Sequence, residues 1–123
     1  MPLYTIYTED GSISDKTKTK IAEEITRIHT EVMKVPKNFV RVVFLSYERG
    51  CGYTAGEKAP TVAVNCVLRV GHTAQEKNDM LKKLWPMLQQ LTGVATEQLA
   101  ISLQEIPASN AMEMGQIMPA VPA

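Results

Sequence analysis

This chain has few of the residues that usually announce a function. Its 123 residues include two cysteines, two histidines and one tryptophan, and the aromatic share is 6%. Cys51 and Cys66 do not form a close metal-ligand spacing. His29 and His72 could pair on a metal, but no third ligand is indicated, so no metal is called for. Two free thiols suit a reducing compartment, which makes the cytoplasm the default location. No apolar run approaches the length of a membrane span or a signal peptide. Thirteen basic residues balance thirteen acidic ones. That balance provides no electrostatic footprint for nucleic acid or an anionic membrane. Zero net charge also gives little protection against self-association. What is present is a 45% hydrophobic composition, enough for the interior of one domain spanning 1–123.

The chain reads as one unit used twice, over 2–59 and 60–119. Pro2 to Tyr7 is short and β-rich, and Glu9-Asp10-Gly11 is turn chemistry. Ser12 or Ser14 can cap a helix running to about Lys34, with Ile21, Ala22, Ile25, Ile28 and Val32 at helical spacing. Val35-Pro36 ends it. Phe39 to Leu45 is a strand, and the glycine-containing stretch from Ser46 to Pro60 is a loop with room for a small hairpin. Thr61 to Leu68 is again a strand, with Cys66 as a small core residue. Thr73-Ala74-Gln75-Glu76 is a capping box. It opens a helix with Met80, Leu81, Leu84, Met87 and Leu91 each 59 residues after a counterpart in the first helix. The same shift carries Val42 to Ile101, Phe44 to Leu103 and Gly56 to Gly115. Pro86 should kink or interrupt the second helix.

Two β-α-β units predict an α+β, two-layer fold: a four-stranded sheet with both helices on one face. The other face, carrying residues such as Val43, Val64 and Cys66 or their alternates, then needs a partner, so oligomerisation is expected.

Pro2 is the most informative position. A methionine followed by so small a residue is normally removed, which leaves a secondary amine at the tip of a strand. An α-amino group has an unperturbed pKa of roughly 7.7–8.0, and burial disfavours its charged form. Such an amine can serve as a base near neutral pH. His29 sits at the edge of the first helix's apolar stripe and reads either as a core histidine or as a site residue. Arg69 and His72 lie where a strand leads into a helix N-terminus. There, backbone amides and a guanidinium favour an anion, although Arg69 alone also suits a surface loop. Glu113, in Ala111-Met112-Glu113-Met114-Gly115, is either an exposed tail residue or a carboxyl in apolar surroundings suited to acid or base work. Glu105 is a weaker alternative. No spacing selects among Tyr4, Tyr7, Tyr47 and Tyr53.

Pro2, the duplicated unit and the Gly52-Tyr53-Thr54-Ala55-Gly56 loop together resemble the tautomerase superfamily. The first half, with Val35-Pro36 and Val40-Arg41-Val42, is similar to a short 4-oxalocrotonate tautomerase subunit. The whole chain is closer to the branch around cis-3-chloroacrylic acid dehalogenase. The resemblance runs from Pro2 to about Pro119. It implies a homotrimer, no cofactor and a small carboxylate substrate. It also implies Pro2, Glu113 and His29 as catalytic residues and Arg69 as a carboxylate anchor. The family's second arginine position is His72 here, and its water-positioning tyrosine falls at Ser102. A histidine holds a carboxylate less strongly than a forked arginine, and a serine cannot reach where a phenol does. These departures favour a tautomerase acting on a small 2-oxo or unsaturated acid over a hydratase or dehalogenase of 3-haloacrylate-like acids. A trimeric binding domain that has lost its chemistry is the rival of another class. A ferredoxin-like regulatory or RNA-binding domain is a third, but its split wiring favours an aromatic pair on the central strands, which is missing here.

Overall fold

A computed structural model describes residues 1–122. Strand β1 (Leu3–Glu9) leads to helix α1 (Asp15–Met33) and strand β2 (Arg41–Tyr47). The short strands β3 (Tyr53–Thr54) and β4 (Glu57–Lys58) form a hairpin. Then come β5 (Val62–Arg69), α2 (Ala74–Thr92), β6 (Leu99–Ile106) and a second hairpin, β7 (Met112–Glu113) with β8 (Gln116–Ile117). The main sheet has the order β2-β1-β5-β6. β1 and β2 are parallel, β5 and β6 are parallel, and β1 runs antiparallel to β5. The strands of each β-α-β unit are therefore direct neighbours, which excludes split ferredoxin-like wiring.

The repeat is legible in the coordinates. α1, β2 and the first hairpin recur as α2, β6 and the second hairpin at a shift of 59, from 15–33 to 74–92 for the helices. The first strands of the units obey a shift of 60 instead. Leu3 pairs with Arg41 as Ala63 pairs with Ala100. The extra residue lies in the connection between strand and helix, which spans 10–14 in the first unit and only 70–73 in the second. Both hairpins turn through two residues of positive φ, Ala55-Gly56 and Met114-Gly115, the geometry that matches strand twist.

Local chemistry explains the helix bounds. Ser14 caps α1 by accepting the Thr17 N–H at 3.1 Å, and Lys34 closes it in the left-handed conformation. Thr73 and Glu76 form the capping box of α2, and Gly93 closes it. Both helices pack on one sheet face. There Tyr4 and Ile6 of β1 and Val62, Val64, Cys66 and Leu68 of β5 meet Ile21, Ile25 and Ile28 of α1 and Met80, Leu84 and Leu88 of α2. Val64 and Cys66 thus belong to the covered face, and on β5 it is their alternates, Asn65 and Val67, that face the open side. The register that buries Tyr4 opposite Cys66 fixes that choice. On the open face Tyr7, Val43 and Leu45 are each 44% exposed. No helix among the described residues is long and apolar enough to cross a membrane.

Pro86 does not interrupt α2, which runs unbroken from Ala74 to Thr92. The proline sits on the exposed side of the helix, as does Lys82, whose carbonyl loses its N–H partner there. Water can satisfy that carbonyl, so the missing bond is tolerated. Pro86→Ala restores the bond and is expected to stabilise the fold by about 1–2 kcal/mol. Urea denaturation measures the gain; an unchanged or lower midpoint would contradict this account.

Candidate functional site

The site lies at the sheet end where β1 begins and β5 finishes. Parallel pairing sets Arg41, the first residue of β2, beside Leu3, and its N–H donates to the Pro2 carbonyl at 3.1 Å. The Pro2 side chain is fully buried. Antiparallel pairing of Leu3 with Val67 brings Arg69, at the end of β5, alongside residue 1. The second hairpin folds over this end and delivers Glu113, whose side chain is 6% exposed. Oε2 of Glu113 takes Nη1 of Arg41, and Oε1 lies against the Met1 amine without an aligned donor. Met1, Arg69 and Glu113 line a cavity of about 280 Å³, walled by Val35, Phe39, Met114, Ile117 and Pro119.

Burial, then the charges of Arg41 and Arg69, push the terminal amine from 8.0 down to about 6. The adjacent Glu113 carboxylate pulls the other way. The Met1 amine, the Glu113 carboxylate and the Arg69 guanidinium border a small, largely apolar space, and the Arg41 guanidinium is held by Glu113 at its edge. This arrangement can take a small anion and move a proton.

His29 is buried on the helix side of β1, and its Nδ1 lies 2.8 Å from the Tyr4 hydroxyl. The two rings meet edge to face, with centroids 5.6 Å apart. Tyr4 stands opposite Cys66 across the β1–β5 pair, and burial pushes the Cys66 thiol up to about 12. Burial, the His72 charge and the terminal amine lower the pKa of His29 to about 3. It is a neutral imidazole in the floor beneath the N-terminus and does not line the cavity. His72 is also buried, with Nδ1 unpartnered and 4.0 Å from Glu76 Oε1; burial chiefly lowers its pKa. It lines a separate cavity of about 350 Å³, with Met33, Lys34, Gly71, Val121 and Pro122. Ser102 lies on the open sheet face, where its hydroxyl donates to Asn65 Oδ1 at 3.1 Å. Of the six residues singled out in the sequence, Arg69 and Glu113 line one cavity, Pro2 lies buried directly behind Met1 of that lining, and His29, His72 and Ser102 are outside it. Glu105 faces Lys77 at 2.8 Å and is also outside it.

The residue that sequence reasoning missed is Arg41. A charge opening an otherwise apolar strand is the one signal that could have marked it. Tyr4 was among four undifferentiated tyrosines; its place in the β1 alternation, beside Ile6 and Thr8 on the buried face, separates it from Tyr7. Among the described residues no cluster of three or more His, Cys, Asp or Glu could hold a metal ion.

Comparison with known proteins places this geometry. A family model described as an oxalocrotonate tautomerase enzyme matches residues 1–122. The chain belongs to this tautomerase family. Among solved structures, N1, a member of the cis-3-chloroacrylic acid dehalogenase family, superposes with a TM-score of 0.91 at 26% identity, covering 97% of this chain and 85% of N1. Native Ps01740 gives a TM-score of 0.86 at 31% identity, over 90% of this chain and 99% of that one. The Q0 fused 4-OT, a symmetric trimer, shares the tautomerase fold with a TM-score of 0.85 at 20% identity, each chain covered to 94%. No curated protein matches by sequence.

The buried polar floor is open to test. Tyr4→Phe removes the partner of His29 and is expected to cost about 1–3 kcal/mol, read from chemical denaturation. The folded pKa of His29, about 3, lies below its ordinary 6.5. Its contribution to stability is therefore complete above pH 6.5 and is lost as pH falls toward 3. Stability should fall less steeply between those limits in His29→Gln than in the wild type; equal slopes would contradict a buried neutral imidazole.

Proposed function

We propose that this chain is a cofactor-independent tautomerase acting on a small 2-oxo or unsaturated carboxylic acid, with the secondary amine of Pro2 as the base once Met1 is removed. The observation that carries this reading is the setting of the chain start, where Arg41, Arg69 and Glu113 gather and where burial and the two guanidinium groups lower the Met1 amine to about 6. Met1 now occupies part of the cavity lining. Its removal would open that volume and leave the Pro2 amine next to Glu113 Oε1, which has no aligned donor of its own.

In the proposed reaction the neutral amine takes the proton from an enol hydroxyl, electrons shift through the double bond, and the protonated amine returns the proton to carbon. The product is the 2-oxo acid. Arg69 anchors the substrate carboxylate, and Arg41 steadies the enolate oxygen while it carries charge. Glu113 holds Arg41 in place and orients the amine. His29 and Tyr4 support the strand start from below. His72 serves the neighbouring cavity, not the carboxylate. Ser102 would reach a site only across a subunit contact.

A hydratase or dehalogenase needs the amine protonated and Glu113 free to activate water. Arg41 and Arg69 beside the chain start disfavour a protonated amine there, and Arg41 engages Glu113; both favour proton shuttling instead. The open apolar sheet face and the trimeric Q0 relative support a homotrimer.

Four measurements test the reading. Intact mass should show that Met1 is absent. An aryl or dicarboxylic enolpyruvate should be ketonised, and Pro2→Ala should lose about 10²–10⁴-fold in kcat/KM. Equal activity of the two proteins would overturn the proline mechanism, and retained Met1 with no turnover would favour the binding-domain alternative. Halide release from 3-chloroacrylate isomers at a rate matching the ketonisation would favour the dehalogenase. Mass in solution should be three times the chain mass of 13.6 kDa.

A further inference from the structure

Beyond β8 the chain crosses from one cavity to the other through a series of defined contacts. The Met118 N–H donates to the Ala111 carbonyl at 2.9 Å, closing the hairpin. The next residue, Pro119, offers its carbonyl to Arg69 Nη1 at 2.5 Å. Val121 then packs on Gly71, so closely that a Cβ at position 71 would stand 2.9 Å from Val121 Cβ. Val121 and Pro122 complete the wall of the cavity over His72.

The geometry points to residues 119–122 as a strap that positions the Arg69 guanidinium for a substrate carboxylate. This role rests on the reading of Arg69 as the carboxylate anchor. A guanidinium has five donors in one plane, so fixing a single N–H to a rigid acceptor fixes the direction of the others. Pro119 supplies a neutral acceptor, which leaves the positive charge of Arg69 uncompensated. Among the described residues Arg69 joins no ion pair, unlike Arg41, which Glu113 engages. The free edge of the Arg69 fork can then take a carboxylate bidentately. Two features keep the acceptor still. Pro119 and Pro122 have restricted φ, and Gly71, at φ +126°, gives Val121 a seat that no larger residue allows. The absence of a side chain at position 71 thus acts, through Val121 and Pro119, on an arginine two residues away in sequence.

The test compares the full chain with one ending at Met118 and with Val121→Ala, which loosens the clasp on Gly71 without shortening the chain. In the full chain the Arg69 Nε–H, assigned by its loss in Arg69→Lys, should give a resolved ¹⁵N NMR signal protected from exchange. It should shift on titration with pyruvate, a 2-oxo acid that needs no turnover to report binding. Ending the chain at Met118 should collapse that signal toward the exposed arginines. It should also weaken pyruvate binding and raise KM for an enolpyruvate about tenfold, with kcat within about twofold. Val121→Ala should move all three in the same direction by about threefold. If the shortened chain does not fold, Val121→Ala alone decides. Unchanged Arg69 exchange and pyruvate affinity in a folded variant would overturn the strap. A strap-dependent Arg69 signal and pyruvate affinity in a protein without turnover would uphold the strap and reject the tautomerase reading.

Discussion

Everything at the site depends on the antiparallel pairing of β1 with β5. Within each β-α-β unit the strands are parallel, so all strand starts of one unit lie at one sheet end. Reversing the second unit against the first brings the start of β1 to the finish of β5. With Leu3 opposite Val67, Arg69 falls beside residue 1. The register cannot slip by one residue without turning Tyr4, Ile6, Val64 and Cys66 out of the core and their neighbours in. Hydrophobic burial therefore specifies where a cation stands relative to the N-terminus. Arg41 arrives by the same logic through the parallel pair, and only Glu113 requires a separate device, the second hairpin. That hairpin holds Met114 at φ 53°, a conformation that costs a non-glycine residue roughly 1–2 kcal/mol. The Glu113 contacts with Arg41 and the terminal amine offset part of that cost.

The charges gathered this way do not balance. Two guanidinium groups and an amine face one carboxylate, so the cavity carries excess positive potential. One field then has two consequences. It favours the neutral form of the amine, and it attracts an anion. A bound carboxylate would cancel part of the field and raise the proton affinity of the amine. In the proposed reaction this would make the base stronger when substrate is present, without any movement of the protein.

Much of this could be read from the chain itself. Helix caps at Ser14 and Thr73, the 59-residue echo and the pairing of a buried strand with an amphipathic helix are local signals, and they specify the layers. The helix-side orientation of Val64 and Cys66 has one sequence signal, Asn65 between them, the polar residue of β5 that turns to the open face. Pro86 does not interrupt its helix because the carbonyl it orphans has access to water. At the site, Pro2, Arg69 and Glu113 sit at element ends or in a hairpin, where chain position already indicates proximity. His29, His72 and Ser102 depend on which way a side chain points. His29 turns inward to Tyr4, His72 lies behind the C-terminal segment, and Ser102 faces the open side. Arg41 escaped notice because a single charge at the start of a strand resembles an ordinary solvated edge.

The internal symmetry also shows why there is one site and not two. The opposite sheet end has the same topology, with Val62 where Pro2 stands, Ala100 for Arg41, Glu9 for Arg69 and Thr54 for Glu113. Its polar groups serve closure. Glu9 accepts the Gly50 N–H at 3.0 Å, Tyr47 accepts the Thr61 N–H at 2.7 Å, and Thr54 meets Thr61 at 3.1 Å. A duplicated unit in one chain has only one N-terminus, so only one of the two equivalent strand starts can ever present a free amine. The guanidinium groups and the carboxylate are found at the end that has the amine. At the other end they are replaced by residues that hold a loop shut.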